Sequence, residues 1–116
     1  MTKIEKFEDI LVWQKSKTFI ENIYNEFRTY KDFSFRDQIQ RASVSIMNNI
    51  AEGYERMGNK EFNKFLYISK GSCGEVRSML HLALDLGYIN KEKFDLFFNQ
   101  SIEISKILSG FIKKLK

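Results

Sequence analysis

The stretch from Asn59 to Gly87 reads NKEFNKFLYISKGSCGEVRSMLHLALDLG, and it decides the fold class. Phe62, Phe65, Leu66, Ser69, Cys73, Val76, Leu80, Ala83 and Leu84 recur at three- and four-residue intervals. At about 100° per residue they form one narrow stripe over about six helical turns. Asn59 is a good N-cap, Glu61 puts acid in the first turn, and Gly87 reads as the stop. Gly71 and Gly74 each weaken a helix by ~1 kcal/mol relative to Ala. The stripe keeps its phase across both, which predicts one continuous helix. The small run Ser69 to Gly74 predicts close approach of a neighbouring helix.

Three more helical periods flank this stretch. From about Asp9 to Tyr30, Trp13, Ile20 and Phe27 recur every seven residues, joined by Ile23, Tyr24 and Tyr30. The next segment opens at Ser34, with Asp37 three residues on approximating a capping box. It runs to about Met57, where Gly58 can take a left-handed cap. After Gly87, Asn90 caps a last helix whose stripe is Phe94, Phe97, Phe98, Ser101, Leu108, Phe111, Ile112 and Leu115. Short connections favour antiparallel neighbours, so the expectation is an all-α, up-down-up-down four-helix bundle. The whole chain, 1–116, makes a single domain.

Composition narrows the function classes. The 116 residues hold one Cys, Cys73, one His, His81, and no Pro. No intrachain disulfide can form, and a di-iron bundle centre, which needs two Glu-x-x-His motifs, fails for want of a second His. No glycine fingerprint for phosphates joins a strand to a helix. His81 and Asp85 share a helix face at i, i+4, with Ser78 a turn away. No nucleophile turn accompanies them, so the expected contact is a structural His–carboxylate pair; a hydrolase built on them is the least favoured reading. Cys73 lies on the core stripe and reads as a buried, inert thiol. The residues point to a non-enzymatic protein with no metal, cofactor or small-molecule substrate. No apolar run approaches the length of a membrane span, and the opening residues do not read as a signal peptide, which predicts a cytoplasmic chain.

Two helices carry more apolar surface than a monomer needs. On the second, Val44, Met47, Ala51 and Tyr54 cluster about 115° from the core stripe. On the third, Ile68, Met79, Leu82 and Leu86 lie off the main face. These are the candidate oligomer interface. Between the apolar faces of the second helix, Arg41, Ser45, Asn48, Asn49, Glu52, Glu55 and Arg56 share one arc. Asn48, Asn49 and Glu52 read as a polar network, with Arg41 and Arg56 as cations of a binding surface. Net charge is +4, mildly basic. The candidate nucleic-acid contacts are Arg41, Arg56, Lys60, Lys64, Lys113, Lys114 and Lys116.

Three stretches resemble a known family. They are Phe7 to Lys15 (FEDILVWQK), Gln38 to Ile46 running into Asn49-Ile50-Ala51-Glu52-Gly53, and Glu61-Phe62, Phe65-Leu66, Gly71-Ser72 and Glu75 ending in Leu86-Gly87-Tyr88-Ile89. In this order they resemble the four-helix-bundle family that includes the 23S rRNA intervening-sequence proteins. The resemblance implies a homopentameric ring in at least some members and an association with RNA. A related branch is similar to accessory proteins of diversity-generating retroelements, which assist a reverse transcriptase. It assigns no catalytic role to Arg41, Asn49, Glu52, Gly53 or Arg56. Two partners follow as readings: structured RNA or an RNA–protein complex, or a larger enzyme such as a reverse transcriptase docked on a scaffold that binds no RNA itself.

Overall fold

Amphipathic helices joined by short connections bury their stripes by reversing direction, and this chain does so three times. The computed structural model describes residues 3–115. A 3₁₀ turn, Phe7–Asp9, precedes α1 (Leu11–Phe27), α2 (Phe33–Glu55), α3 (Asn59–Asp85) and α4 (Lys91–Lys114). Each helix packs on the next, and α4 closes back on α1, while the backbones of the diagonal pairs stay more than 8 Å apart, Cα to Cα. The result is the expected up-down-up-down bundle, 43 Å long and 23 × 20 Å across. The 3₁₀ turn lies against α1 and α2, with Phe7 edge-on to Trp13 at 5.2 Å.

The helix ends differ from expectation in three places. Asp32, not Ser34, caps α2: its Oδ1 accepts the Phe35 N–H at 3.1 Å. A cap must stand just outside the first turn, and Ser34 is already inside it. At the other end α2 stops at Glu55, and Met57, not Gly58, takes the left-handed conformation at φ 65°. Met57 is 88% exposed, so its side chain meets no packing penalty there. Gly58 is extended and serves as N-cap of α3, which makes Asn59 the first helical residue and leaves it no capping role. The other two signals hold. Gly87 ends α3 at φ 75°, with the Tyr88 N–H reaching the Ala83 carbonyl at 2.8 Å. Asn90 caps α4 by accepting the Lys93 N–H at 2.8 Å.

The core stripes are wider than predicted on α1 and α4. Val12, Ser16 and Phe19 are fully enclosed on α1, while Tyr24 is exposed and Trp13 and Tyr30 stand on the flanks. A helix wedged between two neighbours buries a broad arc, so a seven-residue repeat finds only its edge. Ile104 joins the α4 stripe for the same reason. α3 runs unbroken through both glycines. They do not mediate a close approach: a side chain at Gly71 would meet nothing within 4 Å, and at Gly74 only the Arg77 guanidinium at 3.9 Å. Close approach occurs at Gly53, where a Cβ would lie 2.6 Å from Phe65 Cβ and 3.1 Å from Phe62 Cδ1. Nearby, Ser69 Oγ donates to the Ile46 carbonyl at 2.7 Å, pinning α3 to α2.

Candidate nucleic-acid interface

Two residues of the α2 polar arc reach α3, Ser45 by a hydrogen bond and Arg56 over a ring; the others pair within α2 or face solvent. Ser45 and Ser72 hydroxyls meet at 2.8 Å, and the Asn49 amide donates to the Ser45 carbonyl at 2.8 Å and to its Oγ at 2.9 Å. Gln38 Nε2 donates to Glu75 Oε2 at 2.5 Å, and Arg41 reaches Gln38 Oε1 at 3.3 Å. Arg56 is paired with Glu52 at 2.9 Å and lies over the Phe65 ring at 5.1 Å. Asn49 is therefore a member of a helix–helix network. Asn48 stays exposed outside it, and Glu52 bonds to Arg56 alone.

Of the predicted cations, Arg56 caps the end of α2 beside the start of α3, and Arg41 stands apart from the rest. Lys60 and Lys64, on the opening turns of α3, sit at the same end of the bundle as Lys113 and Lys114, because α3 and α4 run antiparallel and Phe62 packs on Phe111 at 5.2 Å. All four are exposed. Arg41 lies about 22 Å along α2 from Arg56, at fifteen residues of 1.5 Å rise. Lys116 falls outside the described residues. Sequence reasoning passed over Lys70, Arg77 and Lys106 because each stands alone in the sequence. The antiparallel pairing of α3 with α4 brings Lys70 to a cleft it shares with Ser109 and Lys113.

The apolar candidates sit on two separate surfaces. Ile68, Leu82 and Leu86 are 45%, 47% and 51% exposed, and Met79 is half-buried beside them. Val44, Met47, Ala51 and Tyr54 are half-buried on the opposite flank of α2, towards α1. The polar arc of α2 runs between the two.

The titratable groups carry structural duties. Cys73 is enclosed, donates to the Ser101 carbonyl at 3.2 Å, and is pushed up to about 11 by burial, against the pull of the Arg77 charge. A thiol so raised is a poor nucleophile. The expected His81–Asp85 contact does not form. His81 is exposed and turns its ring edge to Phe94 at 5.0 Å and Phe98 at 5.8 Å, because the α4 aromatics offer packing that a solvated carboxylate does not. Tyr88 Oη donates to Asp32 Oδ2 at 2.6 Å, a bond that lowers the Asp32 carboxyl and raises the Tyr88 phenol. Tyr30 Oη lies within reach of the Tyr88 carbonyl and of Glu26, and is pushed up to about 12, chiefly by burial. Among the described residues no three His, Cys, Asp or Glu side chains are placed to hold a metal ion. No described helix is long and apolar enough to cross a membrane.

Residues 8–110 match the 23S rRNA-intervening sequence protein family. The chain belongs to that family. Among solved structures it resembles a protein with unknown function from the S23 ribosomal protein family of Bacteroides thetaiotaomicron VPI-5482. Identity is 31%, the match covers 89% of this chain and 99% of the other, and the TM-score is 0.85. No curated protein sequence matches the chain. The Asn49 to Gly53 element has structural duties: Asn49 braces the Ser45 hydroxyl that meets Ser72 of α3, and Gly53 admits the α3 aromatics.

Proposed function

We propose that this family member is a non-enzymatic, ring-forming protein of the bacterial cytoplasm that associates with structured RNA. The gathering of Lys60, Lys64, Lys113 and Lys114 at one end of the bundle carries the RNA part of the reading, because clustered cations release counterions when they meet phosphates. Arg56, already paired with Glu52, is the weakest of the candidate contacts.

The ring follows from the arrangement of apolar surface. A two-fold dimer needs one self-complementary patch, whereas a closed ring joins two different patches on each subunit. The α3 patch of Ile68, Leu82 and Leu86 and the α2 patch of Val44, Met47, Ala51 and Tyr54 are two such surfaces with a polar ridge between them. Five copies is the count that the family resemblance suggests.

One titration tests both parts. Purified protein is sized by light scattering and then titrated into a labelled structured RNA at several salt concentrations. The expected result is a pentamer-sized particle whose affinity falls steeply with salt, by ~0.7–0.9 in log–log slope per phosphate neutralised. A monomer removes the ring. Absence of RNA binding at low salt moves the function to a scaffold that docks a larger enzyme.

A further inference from the structure

The positive charge of this chain is concentrated in two segments that the fold lays side by side. Residues 60–79 and 98–115 hold seven of the nineteen cations but only three of the fifteen acids. Their surplus of four equals the whole chain's +4, so all other residues together are neutral. These segments are the paired halves of α3 and α4, joined through Phe62–Phe111 and through Cys73 and the Ser101 carbonyl.

The three acids do not neutralise the flank. Glu75 is turned to Gln38 on α2, Glu103 is paired with Lys15 on α1 at 3.3 Å, and Glu61 stands in the first turn of α3. Lys70, Arg77, Lys106 and Lys113 form no ion pair among the described residues. Lys70 and Arg77 are seven residues apart on α3, and so are Lys106 and Lys113 on α4. That makes two rows with about 10 Å between charges in each. The helix axes that carry the rows lie about 8–10 Å apart.

Three details fit the flank to an anionic backbone. Arg77 is half-buried with Nη1 enclosed and unbonded, so it lends the flank an uncompensated charge, and not that donor, to an anion. Gly74 bears no side chain between Lys70 and Arg77, and a Cβ there would touch only Arg77. A cleft of about 180 Å³ lies between Lys70, Ser109 and Lys113. The flank also faces away from both apolar patches, so ring closure through those patches leaves it open.

We infer that the α3–α4 flank carrying Lys70, Arg77, Lys106 and Lys113 is the surface that grips the phosphodiester backbone of RNA. This rests on the RNA-associated reading above and moves the contact away from the α2 arginines. The rows meet successive phosphates, and the hydroxyl of Ser109 adds a neutral donor. No base-reading groups are invoked, so the grip is to backbone and shape.

The test compares three proteins in the same structured-RNA titration over a salt series. They are the wild type, the triple variant Lys70→Gln, Lys106→Gln, Lys113→Gln, and the double variant Arg41→Gln, Arg56→Gln. Melting and light scattering first confirm that each variant keeps the fold and subunit count of the wild type. The triple variant should lose at least tenfold in affinity and about two in salt slope, while the double variant changes less than about twofold. Ser109→Glu, which places a negative charge in the cleft, should weaken binding as well and gives an independent reading if the triple variant misfolds. A triple variant or Ser109→Glu that binds like wild type, or a double variant that alone loses binding, overturns the assignment. Equal competition by a poly-glutamate peptide of matched charge overturns the phosphate reading. Wild type that binds no RNA at low salt overturns the functional proposal itself, a different result from a misplaced surface.

Discussion

The α2–α3 seam and the α1–α4 seam both join antiparallel helices, yet one is closed and the other is cleft. Gly53 and Ser69 let α2 and α3 approach until a single methyl would collide. Between α1 and α4 lie clefts of about 350 Å³ beside Ile4, Leu11 and Phe111, about 260 Å³ beside Gln14, Lys15 and Gln100, and about 310 Å³ beside Asn22, Lys93 and Leu96. Long polar side chains line that seam and bridge it at its rim, in Lys15–Glu103 at 3.3 Å and Lys93–Glu26 at 3.4 Å. Small residues bring backbones together, whereas bridged long ones hold them apart. The tight pair thus forms a rigid spine, and α1 is the helix most loosely attached.

The sharpest way to break this comparison is truncation on each side. Ile46→Ala opens a void in the closed seam, where Ile46 is wholly enclosed, and should cost ~2–5 kcal/mol in denaturant unfolding. Leu11→Ala, on a residue 56% exposed at the cleft, should cost under ~0.5 kcal/mol. Equal losses would mean that a partner covers the α1–α4 cleft in solution.

Glycine substitutions come next in size. Gly53→Ala forces α2 from α3 and should destabilise by ~1–3 kcal/mol. Gly71→Ala, with nothing within 4 Å, should raise the melting temperature through the ~1 kcal/mol helix preference of Ala over Gly. A loss at Gly71 would place a neighbouring subunit there.

Alkali gives the most local probe. The native Cys73 thiol keeps its proton to about pH 11, while the unfolded thiol loses it near 9.0. Its contribution is complete below pH 9 and disappears as pH rises to about 11, on the order of 1–3 kcal/mol. Tyr30, which ties α1 to the α3–α4 turn, gives the same sign between pH 10.0 and about 12. Melts of wild type and Cys73→Ala across pH 8–11 check the first window; the variant should show a flatter decline there.

How far the sequence could be read follows from which contacts are local. The α3 stripe, the Asn90 cap and the Gly87 stop depend on neighbours within a turn, and all three were legible. The Asp32 cap was missed because two acids and a serine compete within six residues, and only the chain's entry angle chooses among them. Val12, Ser16 and Phe19 were missed because burial on two sides of α1 is a property of its neighbours. At the candidate site, clustering along the chain pointed to Lys113 and Lys114 but passed over Lys70, Arg77 and Lys106; only antiparallel pairing brings Lys70 to the cleft it shares with Lys113. Arg56 looked free because the sequence does not say whether an i, i+4 carboxylate is engaged; the structure pairs it with Glu52.

The sequence by itself determined four amphipathic helices, their antiparallel order and a modest basic surplus, because periodicity, caps and charge are written residue by residue. Tertiary structure alone decided where the helices touch, which seam closes, and that Lys70 of α3 shares a cleft with Lys113 of α4. Those properties depend on distances between residues far apart in the chain, which no local pattern encodes.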